Sequence, residues 1–386
     1  MISRPVRLGS GALLLTALFA LSGCETLQGW IGKKDPLVEP AKLEDFAASA
    51  KFEVRWHTDI GSAKENLLQP AVTRDAIYGA SGEGRLTRLD RASGKQVWRI
   101  ESGIRVTGGV GAGEGLVLIG SDKGEVLAFD ENGKPRWKSQ VSSEVLSVPQ
   151  VSDGVVIVRS GDGRIAGLNA ADGKRIWLYE RSTPTLVVRS HAGVTIQNGV
   201  AFAGFAGGKL LALKVKNGDA LWESAVSLPR GNTELERISD ITSDPVADDQ
   251  QVCAIAFQGR VACYDVAQGN SLWSRDISSD KGLMLMRKYL YVTDAAGTVM
   301  ALDKISGSTL WKNEQLFMRD TAAPYALGDS VVVGDYEGYL HGLSREDGHF
   351  TARIKLGSKI QAAPQPLDDG LLVQTRDGDL YSLSLH

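Results

Sequence analysis

A short pattern, glycine-x-apolar-x-x-apolar, recurs eight times along this chain: GRLTRL from Gly84, GEVLAF from Gly124, GRIAGL from Gly163, GKLLAL from Gly208, GRVACY from Gly259, GTVMAL from Gly297, GYLHGL from Gly338 and GDLYSL from Gly378. Successive copies are 40, 39, 45, 51, 38, 41 and 40 residues apart. Such a period accommodates four short strands with their turns, and no stretch of helical periodicity intervenes. An open stack of four-stranded sheets would leave exposed edges that invite aggregation, whereas a closed circle limits them. The expected fold is therefore all-β: an eight-bladed β-propeller of four-stranded antiparallel blades over residues 51–386.

A second element follows the first six copies, a polar turn and then Gly-x-x-x-Trp. It pairs Gly94 with Trp98, Gly133 with Trp137, Gly173 with Trp177, Gly218 with Trp222, Gly269 with Trp273 and Gly307 with Trp311. The seventh copy keeps Gly348 but has Ala352 at the Trp position, and the eighth stops at His386 before such a strand can form. Its counterpart is Trp56, within the strand-like run Phe52 to Thr58. The expectation is that this N-terminal strand joins the last blade and closes the ring. Each indole is expected to pack on the neighbouring blade and bury on the order of 200 Å², worth at most about 5 kcal/mol. Inner strands are expected after Pro70, Pro149, Pro245, Pro324 and Pro364, followed by apolar strands such as Val155 to Val158.

The 44 glycines in 386 residues exceed the ~7% average and suit a chain of tight turns. Net charge is −3, and −5 once residues 1–23 with Arg4 and Arg7 are removed, which argues against nucleic acid as a partner. Catalytic and metal-binding patterns are missing. His57, His191, His341, His349 and His386 lack ligand spacing, and no Gly-x-Ser-x-Gly elbow occurs. The pairs Gly94-Lys95, Gly133-Lys134 and Gly173-Lys174 lack the rest of a phosphate loop, and Asp130-Glu131-Asn132-Gly133 lacks the closing Glu of a calcium loop. The sequence thus predicts no enzyme, no cofactor and no metal.

Export signals open the chain. Arg4 and Arg7 precede an apolar run from Leu8 to Leu21, too short for the roughly 20 residues that span a membrane, and Leu21-Ser22-Gly23-Cys24 follows. This tetrapeptide resembles the lipobox of bacterial lipoproteins, which implies a signal peptide over residues 1–23, an acylated Cys24 and contact with the membrane through that anchor alone. Glu25 in place of Asp implies the outer membrane, facing the periplasm. Residues 24–50, with Pro36 and Pro40, read as a tether with an r.m.s. reach of about 25–30 Å. The two other cysteines, Cys253 and Cys263, flank a turn at Gln258-Gly259. A three-residue turn would set them opposite each other and a two-residue turn would offset them, so a disulfide and two buried thiols are both open.

The segment ALDKISGSTLW, from Ala301 to Trp311, resembles the repeat of pyrroloquinoline-quinone-type propellers. Together with the lipobox, the short linker, the eight repeats and the segments TPTLVVRS (183–190), TELERISD (233–240) and VVVGDYEGYLHGL (331–343), the whole chain is similar to the BamB family of outer-membrane protein assembly factors. That resemblance implies a scaffold of the BAM complex that binds the periplasmic POTRA domains of BamA through Leu186, Val188, Arg189 and Asp240. Val188 stands where the family often has Leu, and Thr242 where a second acid occurs. Spacing points to the same place: the two longest intervals arise after Trp177 and Trp222, in connections on one face and one blade apart, and long loops on rigid scaffolds commonly carry function. Leu186 to Val188, rimmed by Arg181 and Arg189, would be an apolar anchor; packing of the loops on their own ring is the alternative. Thr233 and Glu236 have capping-box spacing. The ring could also present unfolded outer-membrane proteins by strand addition. Other readings of the chain are a periplasmic ligand-binding or sensor propeller and a relative of quinone-dependent dehydrogenases, which are longer and carry adjacent cysteines that this chain lacks.

Overall fold

The computed structural model describes residues 39–386, so Cys24, the signal segment 1–23 and most of the tether lie outside the described residues. The 32 described strands, β1 to β32 in chain order, form eight antiparallel four-stranded sheets. Seven sheets are consecutive in sequence. The eighth has the order β1-β32-β31-β30: β1 (Phe52–Asp59) pairs with β32 (Asp379–Leu385) from Phe52 opposite Leu385 to Asp59 opposite Asp379. Lys51 and His386 exchange backbone bonds just beyond this ladder. The ring is thus an eight-bladed propeller whose two ends share one blade, as the stray Trp56 predicts. All five expected prolines immediately precede inner strands, at Ala71, Gln150, Val246, Tyr325 and Gln365.

The two middle strands of a blade are buried on both faces, which is why their sequences are apolar runs and not alternations. In the third blade, β11 (Val155–Arg159) and β12 (Ile165–Asn169) each bury their first four residues. Outer strands, covered on one face only, alternate, as in Gln96–Glu101. Every outer strand also carries a β-bulge at one position. Trp98 pairs with Arg88 while Gln96 pairs with Leu89, so Val97 is skipped; Arg136, Ile176, Leu221, Leu272, Leu310, Thr351 and Arg55 are skipped in the same way. A bulge bends its strand and re-aims the next side chain. Here that side chain is the indole.

Each indole reaches the following blade. Trp98, Trp137, Trp177, Trp222, Trp273 and Trp311 donate from Nε1 to the carbonyls of Glu131, Ala170, Val215, Val266, Lys304 and Arg345, at 2.8–3.0 Å. The ring lies on the turn glycine of that next blade. A Cβ on Gly218, whose φ is +73°, would sit 2.6 Å from the Trp177 ring, and one on Gly94 would sit 2.4 Å from Trp56. The glycine four residues before a Trp therefore serves the Trp of the preceding blade.

The seventh blade, Tyr325–Lys355, has Ala352 where an indole would stand, and the reason is topological. The eighth blade takes its outer strand from the N-terminus, so it has no hairpin turn for an indole to cap. Residues 41–50 run along this blade instead: Ser49 and Ala50 donate to the Thr351 carbonyl, and Ala50, Phe52 and Ala352 share one apolar cluster. The part of the expected tether next to the ring is thus bound to it. Arg319 donates to the Ala41 carbonyl and Arg353 to that of Glu44, while Phe46 packs 5.4 Å from Phe350. Both arginines belong to a buried network, in which Arg319 pairs with Asp335 and Glu337, and Asp335 bonds His341 at 2.9 Å. Burial pulls the His341 imidazole below its ordinary pKa despite that carboxylate, so the ring is neutral at pH 7. Arg353 donates to Nδ1, which leaves Nε2–H to face Asp335.

Cys253 and Cys263 are direct cross-strand partners, with Cα atoms 4.1 Å apart, and form a disulfide. The turn between their strands holds three residues, Phe257 to Gly259, closed by Ala256 N–H to the Arg260 carbonyl. That length decides between the two alternatives open in the sequence.

Truncating the buried Trp177 to Ala should lower unfolding free energy by about 3–5 kcal/mol in urea titration. Deleting residues 51–59 should abolish the cooperative transition altogether, since blade eight would lose its outer strand and the ring its closure. A deletion variant that still melts as one unit would contradict this closure.

Candidate functional site

The two long connections, residues 180–193 between the third and fourth blades and 226–245 between the fourth and fifth, emerge side by side on the face where outer strands hand over to inner strands. One carboxylate ties them together. Asp240 Oδ2 accepts the Val188 amide at 2.7 Å, and its Oδ1 accepts the Gly207 amide at 2.9 Å. Ser190 Oγ donates to the Thr242 carbonyl, and the Gly193 amide donates to Asp244 Oδ1 at 2.5 Å. The second connection is further fixed by the Asp240 carbonyl, which accepts the Phe257 amide, and by a reciprocal capping box. Thr233 Oγ1 accepts the Glu236 amide, and Glu236 accepts the amides of Asn232 and Thr233. The expected helical turn is present as a single turn.

The four residues singled out in the sequence come together, but not alike. Leu186 is 43% exposed and Arg189 is exposed, Val188 is half-buried, and Asp240 is only 3% exposed. Asp240 is thus the clasp of the loops and not part of their outer surface. Val187, next to Leu186 in the first loop, is 45% exposed, and the second loop adds Leu228 at 61% and Leu235 at 67%. Sequence reasoning missed these two leucines. The available signal was an apolar residue between two glutamates, Glu234 and Glu236, inside a polar turn.

Beneath the first loop lies a cleft of about 300 Å³, lined among others by Glu144, Leu146, Arg159, Arg181, Val187 and Phe205. The guanidinium carbons of Arg159 and Arg181 sit 5.2 and 4.9 Å from the Phe205 ring centre. Arg181 also pairs with Glu223 at 3.1 Å. Burial lowers the Arg159 pKa to about 10, against the pull of Asp244 and Asp240.

At the mouth of the central channel, Glu65, His191, Asp280, Lys281, Asp320 and Lys359 converge from five different blade connections. Burial pushes the Asp320 carboxyl upward, but Lys281 at 2.6 Å and Lys359 at 2.5 Å outweigh it and hold it below the ordinary range. Dehydrogenases built on this repeat need carboxylates that ligate calcium beside a quinone. Here Asp320 is neutralised by two ammonium groups, Asp280 pairs with Lys281 and Glu65 with Arg376, and no metal-binding group of three His, Cys, Asp or Glu occurs among the described residues, so these residues do not fit that pair.

A family model described as outer membrane protein assembly factor BamB matches residues 53–313. Curated proteins of that name from Nitrosomonas eutropha and Bordetella pertussis are 41% and 38% identical, covering 96% and 98% of this chain and 94% and 97% of their own lengths. The crystal structure of BamB from Moraxella catarrhalis is similar with a TM-score of 0.80 at 25% identity, over 86% of this chain and 99% of that one. Quinohemoprotein alcohol dehydrogenase from Comamonas testosteroni superposes with a TM-score of 0.72 at 14% identity, over 86% of this chain and 76% of its own, a likeness of fold alone.

Replacing Asp240 with Asn should free the first loop without unfolding the ring, at a local cost of about 1–3 kcal/mol. Hydrogen exchange at the Val188 amide and tryptic cleavage after Arg189 should both accelerate at least several-fold, with the melting temperature changed little.

Proposed function

Because the chain belongs to the outer membrane protein assembly factor BamB family, we propose that it is a non-enzymatic scaffold lipoprotein of the outer-membrane β-barrel assembly machinery. Acylated at Cys24, it sits at the outer membrane facing the periplasm, and its two joined loops bind the periplasmic POTRA domains of BamA within the BAM complex. One observation carries this reading: Leu186, Val187, Leu228 and Leu235 are exposed together on two adjacent loops that the buried Asp240 carboxylate holds in a fixed shape. A soluble protein rarely holds apolar side chains in ordered loops unless a partner takes them, and pre-ordering reduces the entropic cost of docking.

The residues divide the work. Leu186 is the apolar anchor, Arg189 supplies a charge at its rim, and Val188 and Asp240 hold the loop in its docking shape through the 2.7 Å amide bond. Rim charges mainly speed and orient encounter, whereas buried anchors slow dissociation. The five exposed apolar residues skipped in outer-strand bulges, Val97, Ile176, Leu221, Leu272 and Leu310, are less suited to adding a client strand, because a bulge interrupts the edge ladder.

A double variant, Leu186→Ala with Arg189→Glu, should lose at least about tenfold in affinity for the purified periplasmic domains of the assembly barrel. Both side chains are exposed, so the melting temperature should not change. A folded double variant that binds like the parent protein removes this assignment.

A further inference from the structure

The cleft under the first loop contains a charge that the protein leaves unpaired. Arg159 ends β11 and points between the third and fourth blades, where its Nη1 is sealed from solvent and has no hydrogen-bond partner among the described residues. Neither nearby carboxylate bonds it. Asp240 gives both oxygens to the amides of Val188 and Gly207, and Asp244 accepts the Gly193 amide. They act on Arg159 through space and complete none of its hydrogen bonds. Even after desolvation the guanidinium keeps its charge at neutral pH, since its pKa falls only to about 10. A buried cation without an acceptor is costly, so the folded protein holds here a donor set that lacks its complement.

The surroundings define that complement. Leu146, Val187 and Phe205 give the cleft an apolar wall, Arg181 flanks the same Phe205 ring, and Arg189 stands at the entrance. Glu144 and Asp240 also line the cleft and Arg181 is paired with Glu223, so Arg159 Nη1 is the buried donor left open there. A doubly charged phosphate would meet those acids, whereas a single carboxylate on an aliphatic stem matches both the one open donor and the wall. We propose that the cleft receives a carboxylate side chain, Asp or Glu, projected by the partner protein that docks on the two loops, with Arg159 donating to it at the floor. This rests on the reading that these loops face a partner. The partner would then be held at two depths, by Leu186 outside and by Arg159 within.

The test compares the mature protein with Arg159→Met and with the Leu186→Ala/Arg189→Glu variant, in binding to the periplasmic domains of the assembly barrel. Arg159→Met should bind about tenfold more weakly or worse, with a melting temperature unchanged or raised, because the substitution removes an unpaired buried charge. A purely structural arginine would instead lower it. If the loop double variant loses binding while Arg159→Met binds like the parent, the cleft inference is wrong and the loop reading stands. If neither variant loses binding, both fall. A second measurement uses the unaltered protein: N-acetyl-glutamate amide should shift the backbone amide NMR signals of Gly163 and Ala206, at the cleft, and N-acetyl-glutamine amide should not. Equal responses to the two compounds, or none to either, would overturn carboxylate selection.

Discussion

The indole that seven of the eight blades lay on the next is the contact on which the ring depends. A four-stranded blade cannot bury both faces by itself, so its stability is inseparable from its neighbours. The Trp ring supplies large apolar area together with one directional bond, from Nε1 to a turn carbonyl of the following blade, and so fixes both spacing and rotation between blades. Two backbone features make this contact possible. The bulge before each Trp turns the side chain out of its own sheet, and the glycine in the next turn removes the Cβ that would collide with it. Substitution at either place acts on the same interface.

Around the circle this relay has a beginning and an end, and the chain termini meet there. Trp56 starts the relay on Gly94, and the seventh blade, whose successor lacks the hairpin turn, does without an indole. Residues 41–50 cover that site and the Thr351 bulge, held by Arg319 and Arg353 through the buried Asp335–His341 network. Their course has a geometric consequence. Ala41 bonds to Phe317, in a connection from an outer to an inner strand, and such connections share a face with the 180–193 and 226–245 loops. The described residues nearest Cys24 thus join the ring on the face that carries the 180–193 and 226–245 loops.

A rigid circle also explains how two loops remote in sequence can act as one surface. Their separation of about fifty residues corresponds to one blade step, and the Asp240 clasp spans that step. Ordering imposed by a buried carboxylate keeps Leu186 and Val187 presented to solvent when collapse onto the ring would otherwise hide them. The same frame forms the Arg159 cleft, since its walls come from two blades and both loops.

Much of this molecule was legible in the sequence because repetition is itself a structural statement. Eight glycine turns at a period near forty fixed the number of sheets, the misplaced Trp56 announced the shared blade, and two long intervals located the loops. The sequence also placed Cys253 and Cys263 on facing strands, but only the three-residue turn made them partners. Tertiary structure alone decided the other matters, because they depend on which groups meet across blades. The turn glycines serve the preceding blade's indole, the bulges that aim those indoles have no sequence signature, and Ala352 is explained by a chain segment more than 300 residues away. Asp240 looked like a surface contact and proved to be a buried clasp, since burial is a property of what surrounds a residue and not of the residue.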